Sequence, residues 1–379
     1  MRKLDDKNQT SKEKSNFFQW KKLLLFVAGL MFIMCSCTSL KTTDKPVTKF
    51  THFAGWGSLN SKQFRVASEI GLTDIITWSN NPKVLKRMIG EGEKYNIGVY
   101  AGVVPFGGAW KRKYPKLAPV YQQQTPLEDF ILSELKDKKY QLTSAYQHGG
   151  EPTMSKEVLR NKILCLHHPS TKDALKAVIE KLVKIPGLKG IAFDGVGYQN
   201  YNCCYCPSSM TAFKEYYKTR KNIPVQKAFQ QFSLKTLVDF NNELSDYARK
   251  LNPKILVTTH IWPVYEPEPL YGNRLNTDYC GQTAAWFFPW NLNKIEKYSG
   301  IISRDETKYF PNAKGVAMVG VYYDSAPTFP EKSPLRIEQE LKAILKGGCR
   351  NLQVCSINHV LKRPEIAAVF KKYCAKNKK

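Results

Sequence analysis

The chain has 379 residues, with 58 Lys+Arg against 32 Asp+Glu and a formal net charge of +26 at pH 7. Hydrophobic residues make up 42% and charged residues 24%, a globular balance that excludes a fully disordered, collagen-like or polytopic membrane protein. The length fits one large α/β barrel or two medium domains, and the basic excess points to a polyanionic partner without bearing on the fold.

The N-terminus reads as a targeting segment. Residues 1–22 carry seven Lys/Arg and three Asp/Glu, and Leu23 to Met34 is apolar apart from Gly29. Twelve residues are too few to span a bilayer but suit a signal-peptide core. The run ends in Met34-Cys35-Ser36-Cys37, which resembles the lipobox of bacterial lipoprotein signals. Cys37 follows small Ser36 and is the expected lipid acceptor, whereas Cys35 follows bulky Met34. The expected division is a signal over 1–36, a polar tether over 37–47 and a folded domain over 48–379. Without 1–36 the chain keeps 51 basic and 29 acidic residues, a net +22, so the basicity belongs to the folded body.

Downstream, short β-branched and aromatic runs alternate with amphipathic stretches, the rhythm of parallel βα units. Strands are expected at Phe50–Trp56, Asp74–Trp78, Ile97–Val103, Gly190–Asp194, Ile255–Ile261, Thr283–Phe288, Val316–Tyr322 and Leu352–Ile357. Helices are expected at Ser61–Ile70, Pro82–Tyr95, Thr171–Lys184 with Ser170 as N-cap, Val225–Leu251, Leu292–Ser303, Pro334–Lys346 and Pro364–Cys374. Gly347-Gly348 marks a helix C-terminus. Eight strand–helix units predict an α/β fold, a (β/α)8 TIM barrel, with a long insertion over 105–169 after strand three. A competing count makes Ile163–Leu166 a ninth strand in an open sheet.

In such a barrel, chemistry sits at the strand C-termini. All six tryptophans outside the signal map there: Trp56, Trp78, Trp110, Trp262, Trp286 and Trp290. Indole faces at a barrel mouth suit the apolar face of a pyranose, and loop aromatics that merely cap the core are the plainer explanation. Asp194 ends the buried run Ile191-Ala192-Phe193, where a carboxylate is costly without a role or partner. Asp324 follows strand seven, and Glu266 lies just beyond strand five. Each is a candidate catalytic carboxylate or a structural ion-pair member. Glycoside hydrolysis needs two such groups flanking the bond. Tyr198, Asn200 and His260 are further substrate-binding candidates.

The stretch from His168-Pro169 to Arg220 resembles bacterial TIM-barrel glycoside hydrolases, including family 42 β-galactosidases. It runs through Gly190-Ile191-Ala192-Phe193-Asp194-Gly195 to Cys204-Tyr205-Cys206-Pro207 and Phe213-Lys214-Glu215-Tyr216-Tyr217. The resemblance implies a barrel acting on glycosidic bonds. In those relatives a C-x-C-x-x-C segment after strand four helps bind zinc. Here Ser209 stands at the third cysteine position and Cys203 is extra. The relatives use Glu after strands four and seven, where this chain has Asp194 and Asp324. Asp after strand four is the nucleophile of many α-glycosidase barrels, so stereochemistry does not carry over.

Beyond Cys37, eight cysteines remain after the signal, an even number that points first to disulfides in an exported chain. The alternative is a structural zinc on Cys203, Cys204 and Cys206 with Cys165 or His167. No phosphate-binding glycine motif follows a strand, and no nucleic-acid module is visible. The resulting expectation is a lipid-anchored glycosidase of the bacterial cell envelope, acting through Asp194 with Asp324 or Glu266. Its partners would be a carbohydrate substrate, sulfated or uronic in view of the charge, and the membrane, but no nucleic acid. The alternative is a non-catalytic glycan-binding lipoprotein on the same scaffold.

Overall fold

A computed structural model describes residues 49–104, 163–198, 204–261, 271–285, 290–304, 310, 312–322 and 331–375, with the backbone of 147–148 and 151–152. The chain divides into two units, Met1–Pro46 and Val47–Lys379, and every described residue belongs to the second. Cys37 and the expected signal over 1–36 lie outside the described residues.

The period-2 runs become eight parallel strands: β1 (His52–Trp56), β2 (Asp74–Thr77), β3 (Gly98–Val103), β4 (Gly190–Asp194), β5 (Leu256–Ile261), β6 (Tyr279–Ala285), β7 (Lys314–Gly320) and β8 (Asn351–Cys355). They close in sequence order, β8 pairing with β1, so the sheet has no edge. The helices are α1 (Ser61–Glu69), α2 (Pro82–Lys94), α3 (Pro169–Leu182), α4 (Pro207–Lys218), α5 (Val225–Leu251), α6 (Leu292–Arg304), α7 (Pro334–Lys346), α8 (Ile357–Lys362) and α9 (Pro364–Cys374). This is the expected (β/α)8 barrel.

Local chemistry sets the helix starts. Asn60 and Gln63 form a reciprocal capping box on α1, and Asn81 and Ser333 cap α2 and α7 just before a proline. The N-cap of α3 is His168, not Ser170, because Pro169 already takes the first helical turn. Gly347 caps α7, and Gly348 follows at φ +92°, a conformation that favours glycine.

As the barrel reading expects, Ile163–Leu166 adds no ninth barrel strand: β3 pairs directly with β4, and Ile163 and Leu164 form only isolated bridges. Within the insertion, Gln147–His148 and Glu151–Pro152 pair antiparallel. Strand six begins at Tyr279 rather than Thr283. Its first half, Tyr279-Cys280-Gly281-Gln282, sets Gly281 inward against Gln353, turns Cys280 and Gln282 towards Gly272, and carries no apolar alternation.

The barrel interior is polar along one chord. Trp56 Nε1 donates to Gln353 Oε1 (3.2 Å), Gln353 Nε2 to Thr258 Oγ1 (2.9 Å), and Thr258 Oγ1 to the Tyr279 carbonyl (2.9 Å). These groups are buried, so leaving one unpaired costs about 1–3 kcal/mol. Gly281 makes room for them. A Cβ there would meet Gln353 Oε1 at 2.3 Å and the Thr259 carbonyl at 2.7 Å. Gly281→Ala is therefore expected to cost about 1–3 kcal/mol in thermal unfolding, and an unchanged midpoint would refute this placement of Gln353.

The opposite, N-terminal end of the strands is closed by ionic packing. Asp74 is fully buried and meets Lys189 Nζ, Thr73 Oγ1 (3.0 Å) and His52 Nδ1 (3.3 Å). Burial raises the Asp74 carboxyl above its usual range although Lys189 opposes it. Burial, with Lys189 and Lys314 adding repulsion, pushes His52 down to about 3, so its ring is neutral where it stacks on Tyr279. A cavity of about 300 Å³ at this end is lined by Phe50, Phe53, Thr73 and Cys374, far along β1 from the C-terminal face where barrel sites form.

Candidate functional site

Alternation along the strands points Trp56, Asp194, His260 and Cys355 inward at the C-terminal face, where Asp194 pairs in register with His260 and Trp56 with Cys355. Asp194 is the last residue of β4 and is 7% exposed. Both of its oxygens are engaged. Trp78 Nε1 donates to Oδ2 at 2.9 Å, and His260 Nδ1 lies 3.3 Å from Oδ1. An ionised carboxylate can only accept, which sets the His260 proton on Nδ1. Burial and the Asp194 charge together push the Cys355 thiol up.

The aromatic wall is continuous here. The Trp56 ring lies 5.6 Å from Trp78 and 6.2 Å from His260. Trp78 is 43% exposed, so its indole N–H holds Asp194 while a ring face opens to solvent. Trp56, at the end of β1, is 1% exposed and acts beneath it. Tyr198 and His260 are also buried.

Trp290 belongs elsewhere. It is 2% exposed, meets Tyr298 edge-on at 5.0 Å, carries Lys294 over its ring, and lends its carbonyl to Arg336. In this structure its ring packs against α6 and is not an open platform face. Trp110, Asn200, Cys203, Trp262, Glu266, Trp286 and Asp324 lie outside the described residues, so neither proposed partner of Asp194 has a described position.

The sequence did not single out Gln353, Thr258 or Cys355 as mouth or chord residues. The alternation Asn351-Leu352-Gln353-Val354-Cys355 carried that signal, since its polar members share one face. It also missed α8, whose Asn358 pairs twice with the Ser58 backbone and ties the β1 and β8 ends together. Ser356, at the N-cap of α8, turns its hydroxyl to His359 Nδ1 at 2.8 Å.

A second cluster lies behind β4. The Cys165, Cys204 and Cys206 thiols are buried and lie within 4.8 Å of one another. Cys165 and Cys206 Sγ are 3.1 Å apart, and Ser209 Oγ is 3.4 Å from each. His167 stands behind, its Nδ1 2.9 Å from Ser209 Oγ and its Nε2 3.0 Å from Thr236 Oγ1. Burial and Lys172 push His167 down to about 4, so it is neutral. Hydrogen bonding to Cys204 and burial raise the Cys165 thiol. The expected disulfide does not appear: all seven described cysteines are free. Cys165, one of the two partners expected for Cys203, Cys204 and Cys206, is the third described thiol of the group, and Cys203 lies outside the described residues.

The closed ring of eight parallel strands, with a carboxylate and indoles at its C-terminal face, defines the protein as a (β/α)8 TIM barrel. No family model matches the chain, and no curated protein matches it in sequence. Solved structures share the fold. The PgaB (BpsB) glycoside hydrolase domain from Bordetella bronchiseptica is similar at TM-score 0.54 and 10% identity, covering 83% of this chain and 93% of that one. A β-galactosidase from Bacillus circulans sp. alkalophilus is similar at TM-score 0.57 and 12% identity, covering 87% of this chain and 56% of that one. The α-L-fucosidase isoenzyme 2 from Paenibacillus thiaminolyticus is similar at TM-score 0.56 and 11% identity, with 85% and 48% covered. This chain spans about half the length of the latter two. At these identities the likeness is one of fold.

Proposed function

We propose that the chain is an exported glycoside hydrolase, held at the bacterial cell envelope by a lipid on Cys37, that cleaves a poly- or oligosaccharide at the C-terminal face of its barrel. The observation that carries this reading is Asp194, a nearly buried carboxylate at the end of β4, oriented by Trp78 and His260 beside an exposed indole face. Cleavage needs a second carboxyl group, for which Asp324 and Glu266, which follow strands seven and five in the sequence, stand as candidates. The names of the fold neighbours, a glycoside hydrolase domain, a β-galactosidase and an α-L-fucosidase, support a sugar substrate. The net +22 of the chain after residue 36 supports an anionic glycan.

The test is product release from neutral, sulfated and uronic polysaccharides at low and high salt. Cleavage of an acidic glycan that fades with salt is expected, and cleavage of none of them would refute the activity. A non-catalytic glycan-binding barrel is the second reading, favoured by the engagement of both Asp194 oxygens. Binding without cleavage by the wild type would select it.

The same proposal places a structural zinc on Cys165, Cys204 and Cys206. Their buried thiols suit a thiophilic ion, and Ser209 Oγ is the nearest further donor. The purified full chain is expected to hold about one zinc per molecule, lost in Cys204→Ser together with a lower melting temperature. Metal-free protein that melts like the wild type would refute it.

A further inference from the structure

We infer that Tyr205 is a second sugar-binding position, an aromatic platform outside the Asp194 mouth, built on the β4–α4 connection and set by the buried thiol cluster; this rests on the carbohydrate reading above. Tyr205 is 38% exposed, whereas its neighbours Cys204 and Cys206 are 1% and 0% exposed. The segment Cys204-Tyr205-Cys206 therefore turns two side chains inward and one outward. The inward pair is fastened. Cys206 N donates to Cys204 Sγ at 3.5 Å, and Cys206 is also the N-cap of α4, its Sγ accepting from Ser209 N.

The Tyr205 ring is supported from beneath. It stacks on Phe229 of α5 with centroids 5.0 Å apart and planes 18° apart. Phe229 in turn meets Phe213 of α4 edge-on at 5.0 Å. Phe213 and Phe229 both pack on Phe232, whose ring stacks on His167 at 4.9 Å, and His167 reaches Ser209 beside the thiols. A small aromatic core on α4 and α5 thus joins the platform to the thiol cluster as one packed unit.

An exposed ring costs solvation and is kept flat at little entropic cost when one face is stacked and its backbone is fastened. That arrangement fits the apolar face of a pyranose ring. Tyr205 follows Asp194 on the connection from β4 to α4. The occupant inferred is one sugar unit of a longer chain, not the unit at the cleaved bond.

The experiment uses the full chain in detergent, run through gels containing pectic galactan, arabinoxylan, mixed-linkage β-glucan, glycol chitosan or heparin. At least one glycan is expected to retard the wild type. Tyr205→Ala is expected to weaken that retardation about tenfold, while Tyr205→Phe and Tyr205→Trp stay within about twofold. Melting temperatures of the three variants check that the α4–α5 core is intact. Equal retardation of Tyr205→Ala and wild type overturns the inference, and so does a wild type that no glycan retards. Asp194→Asn separates the two readings: if that variant still cleaves, the catalytic assignment falls and the Tyr205 result stands.

Discussion

Asp194→Asn is expected to lower hydrolysis about a thousandfold while leaving glycan binding and the melting temperature close to wild type. Asparagine keeps the shape of aspartate and can still accept from Trp78 Nε1, and the wall of Trp56, Trp78 and His260 stays assembled once the His260 ring proton moves to Nε2, so that Nδ1 accepts from the new amide. It lacks the negative charge and the basicity that attack on, or proton transfer to, a sugar requires. Initial rates on the best substrate, paired with the gel-retardation affinity, check both halves. Activity within a few fold of wild type would remove Asp194 from the chemistry. His260→Ala and Trp78→Phe each remove one support of the carboxylate, and smaller losses in rate are expected from them than from Asp194→Asn.

Lys332→Met is expected to destabilise the barrel by about 3–5 kcal/mol, the largest single-residue effect anticipated away from the mouth. Lys332 is 1% exposed, just ahead of α7. Its ammonium donates to the carbonyl of Ala285 at the end of β6 and to Glu340 Oε2 (2.8 Å). Glu340, 1% exposed, also takes Arg336 Nε at 2.8 Å, and Arg336 reaches the Trp290 carbonyl. Burial pushes the Lys332 pKa down and Glu340 opposes that shift. Removing the lysine leaves a buried carboxylate half-paired, the costly way to break such a pair. The double variant Lys332→Met/Glu340→Leu is expected to recover most of the loss, because replacing both charges by apolar groups is often neutral. Equal thermal midpoints for wild type and Lys332→Met would refute the account.

Much of the barrel was legible because each βα unit announces itself locally. Val225–Leu251, Pro334–Lys346 and Pro364–Cys374 carry helical periodicity bounded by proline or asparagine, and the helices occupy those same spans. Gly190–Asp194 is a short apolar run ending in a charge, and it is β4. The displaced start of β6 and the overlooked α4 and α8 share a different origin. Tyr279-Cys280-Gly281-Gln282 has no apolar alternation, since its inward positions face Gln353 rather than a hydrocarbon core. Helix α4 starts inside a cysteine-rich segment, and α8 is held by Asn358 bonding to Ser58, some three hundred residues away in sequence.

The site divides along the same line. By itself the amino-acid sequence determined that Asp194, Trp56 and Trp78 sit at strand ends, because side-chain period and barrel topology together define a C-terminal face. It also determined the surplus of positive charge and the crowding of cysteines around position 204. Only the tertiary structure decided which of these groups meet. It put Trp78 and His260 on the two oxygens of Asp194, buried Trp290 against α6, and brought Cys165 to Cys204 and Cys206. The physical reason is that hydrophobic periodicity reports which face of an element is covered. Register and closure, set by hydrogen bonds between distant strands, decide what covers it.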